Sequence, residues 1–520
     1  MMPIKVIDIF AGPGGLGEGF SSLVDENENP LFKVALSIEK EKWAYDTLLL
    51  RSFYRQYKKS EVPDDYYSHL RGEISRQELF ARHHYEFIRA SKEAWQATLG
   101  ETSEEEIDER IKTALDGAEP WVLIGGPPCQ AYSLVGRARR GETKGLNKED
   151  ERVYLYREYF RILAVHNPHL FVMENVKGLL SSKIDDELIF KQLILDLQNP
   201  FEAYSKLKGK KNITFVCPGY KIFSLVSSRR NKQLQLFDVP QFNSFDFVIR
   251  AEEYGIPQAR HRVILLGVRN DLSINDIPLL IKEPSVPLKV VIDGLPRIRS
   301  TISKAKDSKT LWVKNLKALK KQLKELKIER AVKKEINKVL KELKPPKYDN
   351  GKEFIRFSPF VSYKPDWFLD KRILGVVNHS SRGHIIKDLY RYLFSSCYTV
   401  IHKVSPRLYD FPIQLLPVHQ NVNKAIQYGT FVDRFKVQLP YKPSNTITSH
   451  ISKDSHYYIH PDPSQCRSFS VREAARIQTF PDNYFFCGQR TAQYIQVGNA
   501  VPPLLAIKIA TIVYKTVNNY

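Results

Sequence analysis

The stretch Ile4-Lys5-Val6-Ile7-Asp8-Ile9-Phe10-Ala11-Gly12-Pro13-Gly14-Gly15-Leu16-Gly17-Glu18-Gly19-Phe20 decides the fold. Val6, Ile7, Ile9 and Phe10 are residues that favour an extended strand, and they run directly into five closely spaced glycines before a helical segment. A strand, a tight glycine turn and a helix in that order open a nucleotide-binding βαβ unit. Working outward, a second apolar strand is expected at Val34 to Ile38, ending in Glu39. Further buried strands are expected at Trp121 to Ile124, Leu170 to Met173 and Val263 to Val268. Strands that alternate with helices predict an α/β fold with a Rossmann-like, mostly parallel sheet and helices on both faces. Ligands in such sheets gather beyond the carboxyl ends of the strands, so the residues that follow each strand carry most of the functional weight.

The 520 residues suffice for two or three domains, and a composition of 42% hydrophobic and 26% charged residues excludes a disordered chain. The opening, MMPIKVIDIF, has no basic leader before a long apolar run, and no stretch reaches about 18 uninterrupted apolar residues. A soluble, unexported, cytoplasmic protein with no membrane partner is therefore expected. Five scattered cysteines make neither a disulfide framework nor a zinc site, so no metal is expected. With 79 Lys/Arg against 58 Asp/Glu, the net charge is +21, an excess that suits a polyanionic partner, nucleic acid first. About half of it, 16 basic against 5 acidic residues, lies between 301 and 347. That segment reads as a long basic amphipathic helix or helical hairpin whose apolar seam slips between Leu326 and Val332. Residues 51–120 read as a polar, mostly helical insertion, with a solvated acidic run from Glu101 to Glu109. The His-, Arg-, Tyr- and Phe-rich stretch from Asn378 to Asn423 suits contact with phosphates and bases.

Gly12-Pro-Gly14-Gly15-Leu16-Gly17 matches G-x-G-x-x-G, and Glu39 stands where a ribose-binding acid is required. That pairing serves NAD and S-adenosylmethionine equally, so an NAD-dependent oxidoreductase stays open on these residues alone. The sharper feature is Gly125-Gly126-Pro127-Pro128-Cys129-Gln130. Two prolines stiffen the loop after the Trp121 strand and hold the Cys129 thiol at its carboxyl end, as a nucleophile requires. The commoner reading of a lone cysteine, a small buried hydrophobe, does not account for these neighbours.

Six ordered motifs carry a resemblance to the cytosine-5 DNA methyltransferases. They are Asp8-Ile-Phe10-Ala-Gly12-Pro-Gly14-Gly15, Pro127-Pro128-Cys129-Gln130, Glu174-Asn175-Val176 and Gln258-Ala-Arg260-His-Arg262, followed by Arg472-Glu473-Ala-Ala-Arg476-Ile-Gln478-Thr-Phe480-Pro481 and Gly498-Asn499-Ala-Val501-Pro502. The resemblance covers roughly residues 1 to 50, 121 to 270 and 430 to 520. It implies that the Cys129 thiolate adds to carbon 6 of a flipped-out cytosine and that Glu174 acts at ring nitrogen 3. It also implies that carbon 5 takes a methyl group from S-adenosylmethionine, with no metal involved. Arg260 and Arg262 alternate, so on an extended segment both face the base or its phosphate.

By the same resemblance Phe10, Gly12, Gly14, Gly15 and Leu16 line the cofactor site, Glu39 holds the ribose, and Leu155 and Asn499 complete the pocket. Two departures stand out: Lys40 follows Glu39 where an aromatic is usual, with Trp43 the nearest ring, and only Glu73 answers for the third-motif acid on adenine. Gln130 to Gly136 corresponds to the segment that closes on DNA, with Ser133, Arg137, Arg139 and Arg140 available to phosphates. The implied domains are a catalytic unit, 1–275 with 485–520, and a mixed target-recognition domain, 276–484, containing the basic segment. Double-stranded DNA is the expected partner, a cognate restriction endonuclease on the same site a common companion, and a monomer the expected state. A tRNA cytosine-5 methyltransferase is the alternative that shares the chemistry, and the 200 residues between the eighth and ninth motifs favour DNA. A catalytically silent DNA-binding homologue fits less well, since each motif residue the chemistry needs is present.

Overall fold

The computed structural model describes residues 2–127, 151–180, 183–184, 187–208, 217–227, 244–418 and 420–518. Nine of the strands among the described residues of the first half bear on the site: β1 (Ile4–Ile9), β2 (Phe32–Glu39), β3 (Ala94–Gln96), β4 (Trp121–Gly125), β5 (Leu170–Val176), β6 (Tyr220–Ser224), β7 (Val248–Arg250), β8 (Gln258–Ala259) and β9 (His261–Arg269). All but β8 form one sheet, in the order β3-β2-β1-β4-β5-β9-β6 with β7 on the free part of β9. The first five pair in parallel, and β9, β6 and β7 pair antiparallel. The expected parallel sheet is thus present, and the Val263 strand enters it reversed.

Period-two alternation sends each strand's side chains to opposite faces. Val6, Val122, Ile124, Val172 and Ile264 face one core, while Ile7, Ile9, Leu123, Phe171 and Leu265 face the other. Helix α1 (Gly15–Ser21) lies in the first layer, and α2 (Lys42–Tyr54), α3 (Asp64–Arg71), α4 (Arg76–Arg82) and α5 (His84–Glu93) follow β2. Helices α6 (Glu104–Leu115) and α7 (Glu151–His166) cover the opposite face. The acidic run is accordingly not all solvated insertion. Ser103 caps α6 by accepting the Glu106 N–H, the acids of its first turn suit the positive end of the helix, and Ile107, Ile111 and Leu115 pack on the sheet. Nor is 51–120 wholly helical, because β3 within it adds the edge strand beside β2.

The basic segment is a hairpin of α8 (Lys309–Gln322) and α9 (Arg330–Glu342), and the slip in its seam is the turn. Trp312, Leu316 and Leu319 of α8 and Val332, Ile336 and Leu340 of α9 are buried with α10 (Ile386–His402) in one cluster. Each such burial contributes roughly 2 kcal/mol, which explains why so charged a segment still folds. That cluster draws on Ile302 and residues 312–437, with Ile459 and Cys466 at its margin. The expected boundary of 276–484 therefore differs from the packing. Buried residues from Ile277 to Ile292 and, apart from Ile459 and Cys466, from Ile447 to Phe486, including the ninth motif on α11 (Val471–Ile477), belong to the same core as Val6 and Leu16. Helices α12 (Arg490–Asn499) and α13 (Pro503–Asn518) close that core. The apolar stretch they span would be long enough for a membrane, and 72% of it is buried here.

Candidate active site

The carboxyl ends of β1, β2, β4 and β5 converge as the sequence pattern requires. After β1 the chain turns through left-handed positions at Phe10 (φ 55°), Gly12 (φ 57°) and Gly14 (φ 88°), which caps α1. A side chain on Gly15 would lie 2.2 Å from the Val501 carbonyl oxygen, so glycine there is set by close approach of the tenth motif. Gly12, by contrast, faces open space. Leu16 is buried in the core, so its side chain is turned away from any ligand and only its backbone is available. Glu39, at the end of β2, accepts the Gly12 N–H (2.8 Å) and the Glu41 N–H (2.8 Å). Burial raises its pKa, and these two N–H groups pull it back toward the charged form. Phe10 packs against the cluster that contains Ile38 and Leu155, so two of the expected cofactor residues, Phe10 and Leu155, share one wall.

Asn499 is exposed at the end of α12. Trp43 sits in the first turn of α2 against Gly488. Glu73 does not join the group. It follows α3, is exposed and pairs with Arg71 at 2.8 Å. The residues at the carboxyl end of β3 beside Glu39 are instead Gln96 and Ala97, whose N–H bonds the Glu39 carbonyl. Sequence reading missed them because β3 is three residues long within a helix-like stretch.

The second half of the site surrounds the loop leading to Cys129. Cys129 itself, with Gln130 to Gly136, Ser133, Arg137, Arg139 and Arg140, lies outside the described residues. The loop's root is described. Asn175 donates from Nδ2 to the Pro127 carbonyl (3.1 Å) and to the Tyr156 hydroxyl (2.7 Å), tying the proline loop to β5 and α7. Its neighbour Glu174 projects over Gly126, where an added Cβ would stand 2.9 Å from Glu174 Oε2. Arg262 reaches the same carboxylate, Nε to Oε1 at 2.7 Å, because β9 runs antiparallel to β5 with Ile264 opposite Glu174. Both side chains are slightly exposed, so the pair borders open space.

Arg260 behaves differently from the expectation that it and Arg262 share an open face. It is fully buried, and it donates from Nη1 to the Ile447 carbonyl (2.7 Å) and from Nη2 to the Gly498 carbonyl (3.2 Å). Burial and nearby Arg262 depress its pKa well below the usual guanidinium range. The alternation argument fails because the chain kinks between β8 and β9, where the Arg260 N–H bonds the Gln258 carbonyl.

What Arg260 does is join motifs. Gln258 donates to Gln478 Oε1 (2.8 Å) and accepts the Ile447 N–H (2.7 Å), and Gln478 donates to the carbonyls of Val497 and Ala500. The eighth, ninth and tenth motifs are thereby locked by buried, mutually satisfied amides. The ninth adds a bidentate Arg467–Glu473 pair, both contacts 2.6 Å, and an Arg476–Asp482 pair.

The four described cysteines are poor nucleophiles. Burial raises the thiols of Cys217, Cys397 and Cys466, and that of Cys487 to about 11.

The profile of the C-5 cytosine-specific DNA methylases matches residues 82–200 and 227–515. The chain is 32% identical to the type II methyltransferase M.Bpa9945I of Bacillus paralicheniformis, over 99% of both chains. It is 24% identical to the type II methyltransferase M.DdeI of Desulfomicrobium norvegicum, over 98% of this chain and 88% of that one. To the DNA (cytosine-5-)-methyltransferase M.ApeKI of Aeropyrum pernix it is 27% identical, over 76% of this chain and 82% of that one.

Proposed function

Because the chain belongs to the C-5 cytosine-specific DNA methylase family, we propose that Cys129, Glu174 and Arg262 form its catalytic group, with Arg260 and Asn175 as positioning residues. The protein is a DNA cytosine-5 methyltransferase of the restriction-modification type. One observation supports the assignment most: the Glu174–Arg262 pair overhangs Gly126 while Asn175 grips the Pro127 carbonyl, two residues before Cys129.

Carbon 5 of cytosine is a weak nucleophile and lies within the stack of the duplex, so the base first swings out at a cost of a few kcal/mol. The Cys129 thiolate adds to carbon 6, and Glu174 supplies a proton to ring nitrogen 3, which leaves an enamine with electron density on carbon 5. Arg262 holds the Glu174 carboxyl in one orientation during this exchange. S-adenosylmethionine, when bound, supplies the methyl group that carbon 5 accepts. The carbon 5 proton then passes to solvent, the bond between carbon 6 and sulfur breaks to return the Cys129 thiolate, and Glu174 recovers its proton from nitrogen 3.

The open space at Gly12 and the spare lone pairs of Glu39 fit that cofactor, as do the wall of Phe10 and Leu155, the backbone of Gly14 to Leu16, and Asn499. Gln96 and Ala97 replace Glu73 as the groups at the end of β3. The nicotinamide reading of the glycine loop leaves the Glu174–Arg262 pair without a task, and tRNA is not favoured. We assign target recognition to the unit of about residues 300–440, and we expect a cytoplasmic monomer paired with an endonuclease of the same specificity.

The test is transfer of labelled methyl groups from S-adenosylmethionine to duplex DNA and, separately, to tRNA. Label in DNA supports this reading, and label in tRNA alone overturns it.

A further inference from the structure

A cleft of about 730 Å3 opens between residues of the 408–434 stretch and residues of the 445–458 stretch. Its floor is the shelf Asn445 to Thr448, fixed to the catalytic half by Thr446 Oγ1 donating to the Ala259 carbonyl (2.6 Å) and by the Arg260 bond to Ile447. Its outer wall comes from residues 408–434, with Lys424, Phe431 and Arg434 at its edge.

Three features distinguish this wall. Seven of the nineteen exposed large hydrophobic residues among the described residues fall within 404–441. Three of the four that are more than four-fifths exposed, Ile413, Val418 and Phe431, are there. Phe431 also holds a left-handed backbone (φ 55°), an uncommon conformation for a bulky side chain. Finally, residues 403–454 hold seven Lys/Arg against three Asp, so an apolar rim sits in a basic surround that complements a polyanion.

We infer that Phe431 and Arg434 read base edges of the duplex beside the target cytosine, and that the basic hairpin α8–α9 takes no part in choosing sequence. The inference rests on the DNA reading above. An exposed phenyl ring stacks on a base or meets a thymine methyl, and a guanidinium donates two hydrogen bonds to the guanine edge. Arg434 can reach a base edge, since half of its side chain is exposed and its ion pair with Asp454 is long, at 3.6 Å. Adjacent Asp433 is already engaged by Lys436 (3.1 Å) and the Tyr457 hydroxyl (2.9 Å). The hairpin is set back from the cleft. Helix α10 lies between, with its Phe394 ring 4.8 Å from Phe411, which in turn meets Phe435 at 5.4 Å.

The experiment compares full-length wild type, Phe431→Ala, Arg434→Ala and the triple change Lys314→Gln/Lys317→Gln/Lys321→Gln. Each is expressed with a plasmid, the methylated contexts are mapped by bisulfite conversion, and the purified proteins are ranked on single-base variants of the mapped site. The two cleft variants should lose about 10-fold to 100-fold of their discrimination at one or two base pairs, with melting and S-adenosylmethionine affinity unchanged. The lysine variant should keep its context and show only a shallower salt dependence of binding. Unchanged discrimination in both cleft variants, or an altered context in the lysine variant, overturns the inference. A wild-type protein that methylates no DNA instead overturns the function proposed above, and is seen before any variant is made.

Discussion

Replacing Gly126 with alanine tests the placement of Glu174 directly. The new methyl group would stand 2.9 Å from Glu174 Oε2 and 3.2 Å from the Glu174 carbonyl oxygen, against ordinary contacts that begin at 3.4 Å. The carboxylate must therefore retreat by about half an ångström, away from the position in which Arg262 holds it at 2.7 Å. Because Oε2 is the tip of a side chain and Gly126 is not in a left-handed conformation, the fold absorbs the change. The reduced freedom of the unfolded chain offsets part of the crowding, leaving a net effect within about 1 kcal/mol.

Catalysis is less forgiving. A misplacement of this order in a proton donor costs on the order of 10-fold to 100-fold in rate. Single-turnover methyl transfer should slow by that factor, while S-adenosylmethionine affinity and the denaturation midpoint stay near wild type. An unchanged rate would refute the role given to Glu174, and an equal loss of cofactor affinity would place Gly126 in the cofactor pocket instead.

Four further variants follow from the structure. Arg260→Met leaves the carbonyls of Ile447 and Gly498 without donors, so it should lower unfolding stability by about 2 to 4 kcal/mol in denaturant titration. Arg262→Met, at a pair that keeps some contact with solvent, should cost less stability than Arg260→Met while suppressing turnover. Equal stability of the two variants would return Arg260 to the open pocket. Buried His379 bridges Ser470 and the Pro296 carbonyl, and burial lowers its pKa to about 4. Its unfolded form binds a proton more readily, so its contribution is intact above about pH 6.5 and is lost as pH falls toward 4. Wild type should therefore lose about 3 kcal/mol more than His379→Gln across that interval, and a flat difference would contradict the assignment. Glu73→Gln, at an exposed position paired with Arg71, should leave S-adenosylmethionine affinity unchanged in a binding titration, whereas a tenfold loss would restore Glu73 to the adenine site.

The parts of the fold legible in the sequence are those whose environment is uniform along the segment. The strands expected at Trp121, Leu170 and Val263 stand at β4, β5 and β9, because strands buried on both faces are continuous apolar runs. The slipped seam of the basic segment left a long helix and a hairpin open, and the structure forms the hairpin. What stayed hidden depends on partners distant in sequence. A three-residue strand such as β3 has no periodicity to detect, yet it defines the ground beside Glu39. Arg260 and Arg262 look equivalent as alternating residues, but a kink between two short strands sends one to buried carbonyls and the other to Glu174. Asn175, Gln258 and Gln478 were visible as motif letters only. Their work consists of hydrogen bonds to backbone up to 219 residues away, which no local pattern encodes.

The central claim is that the thiol of Cys129 carries the reaction on DNA. Its most direct test is bisulfite conversion of a plasmid from cells expressing wild type or Cys129→Ala, with the variant's melting and cofactor binding checked against wild type. Wild type should leave cytosines protected in one recurring context, and Cys129→Ala should leave none. Protection that persists in Cys129→Ala would contradict the covalent role of that thiol.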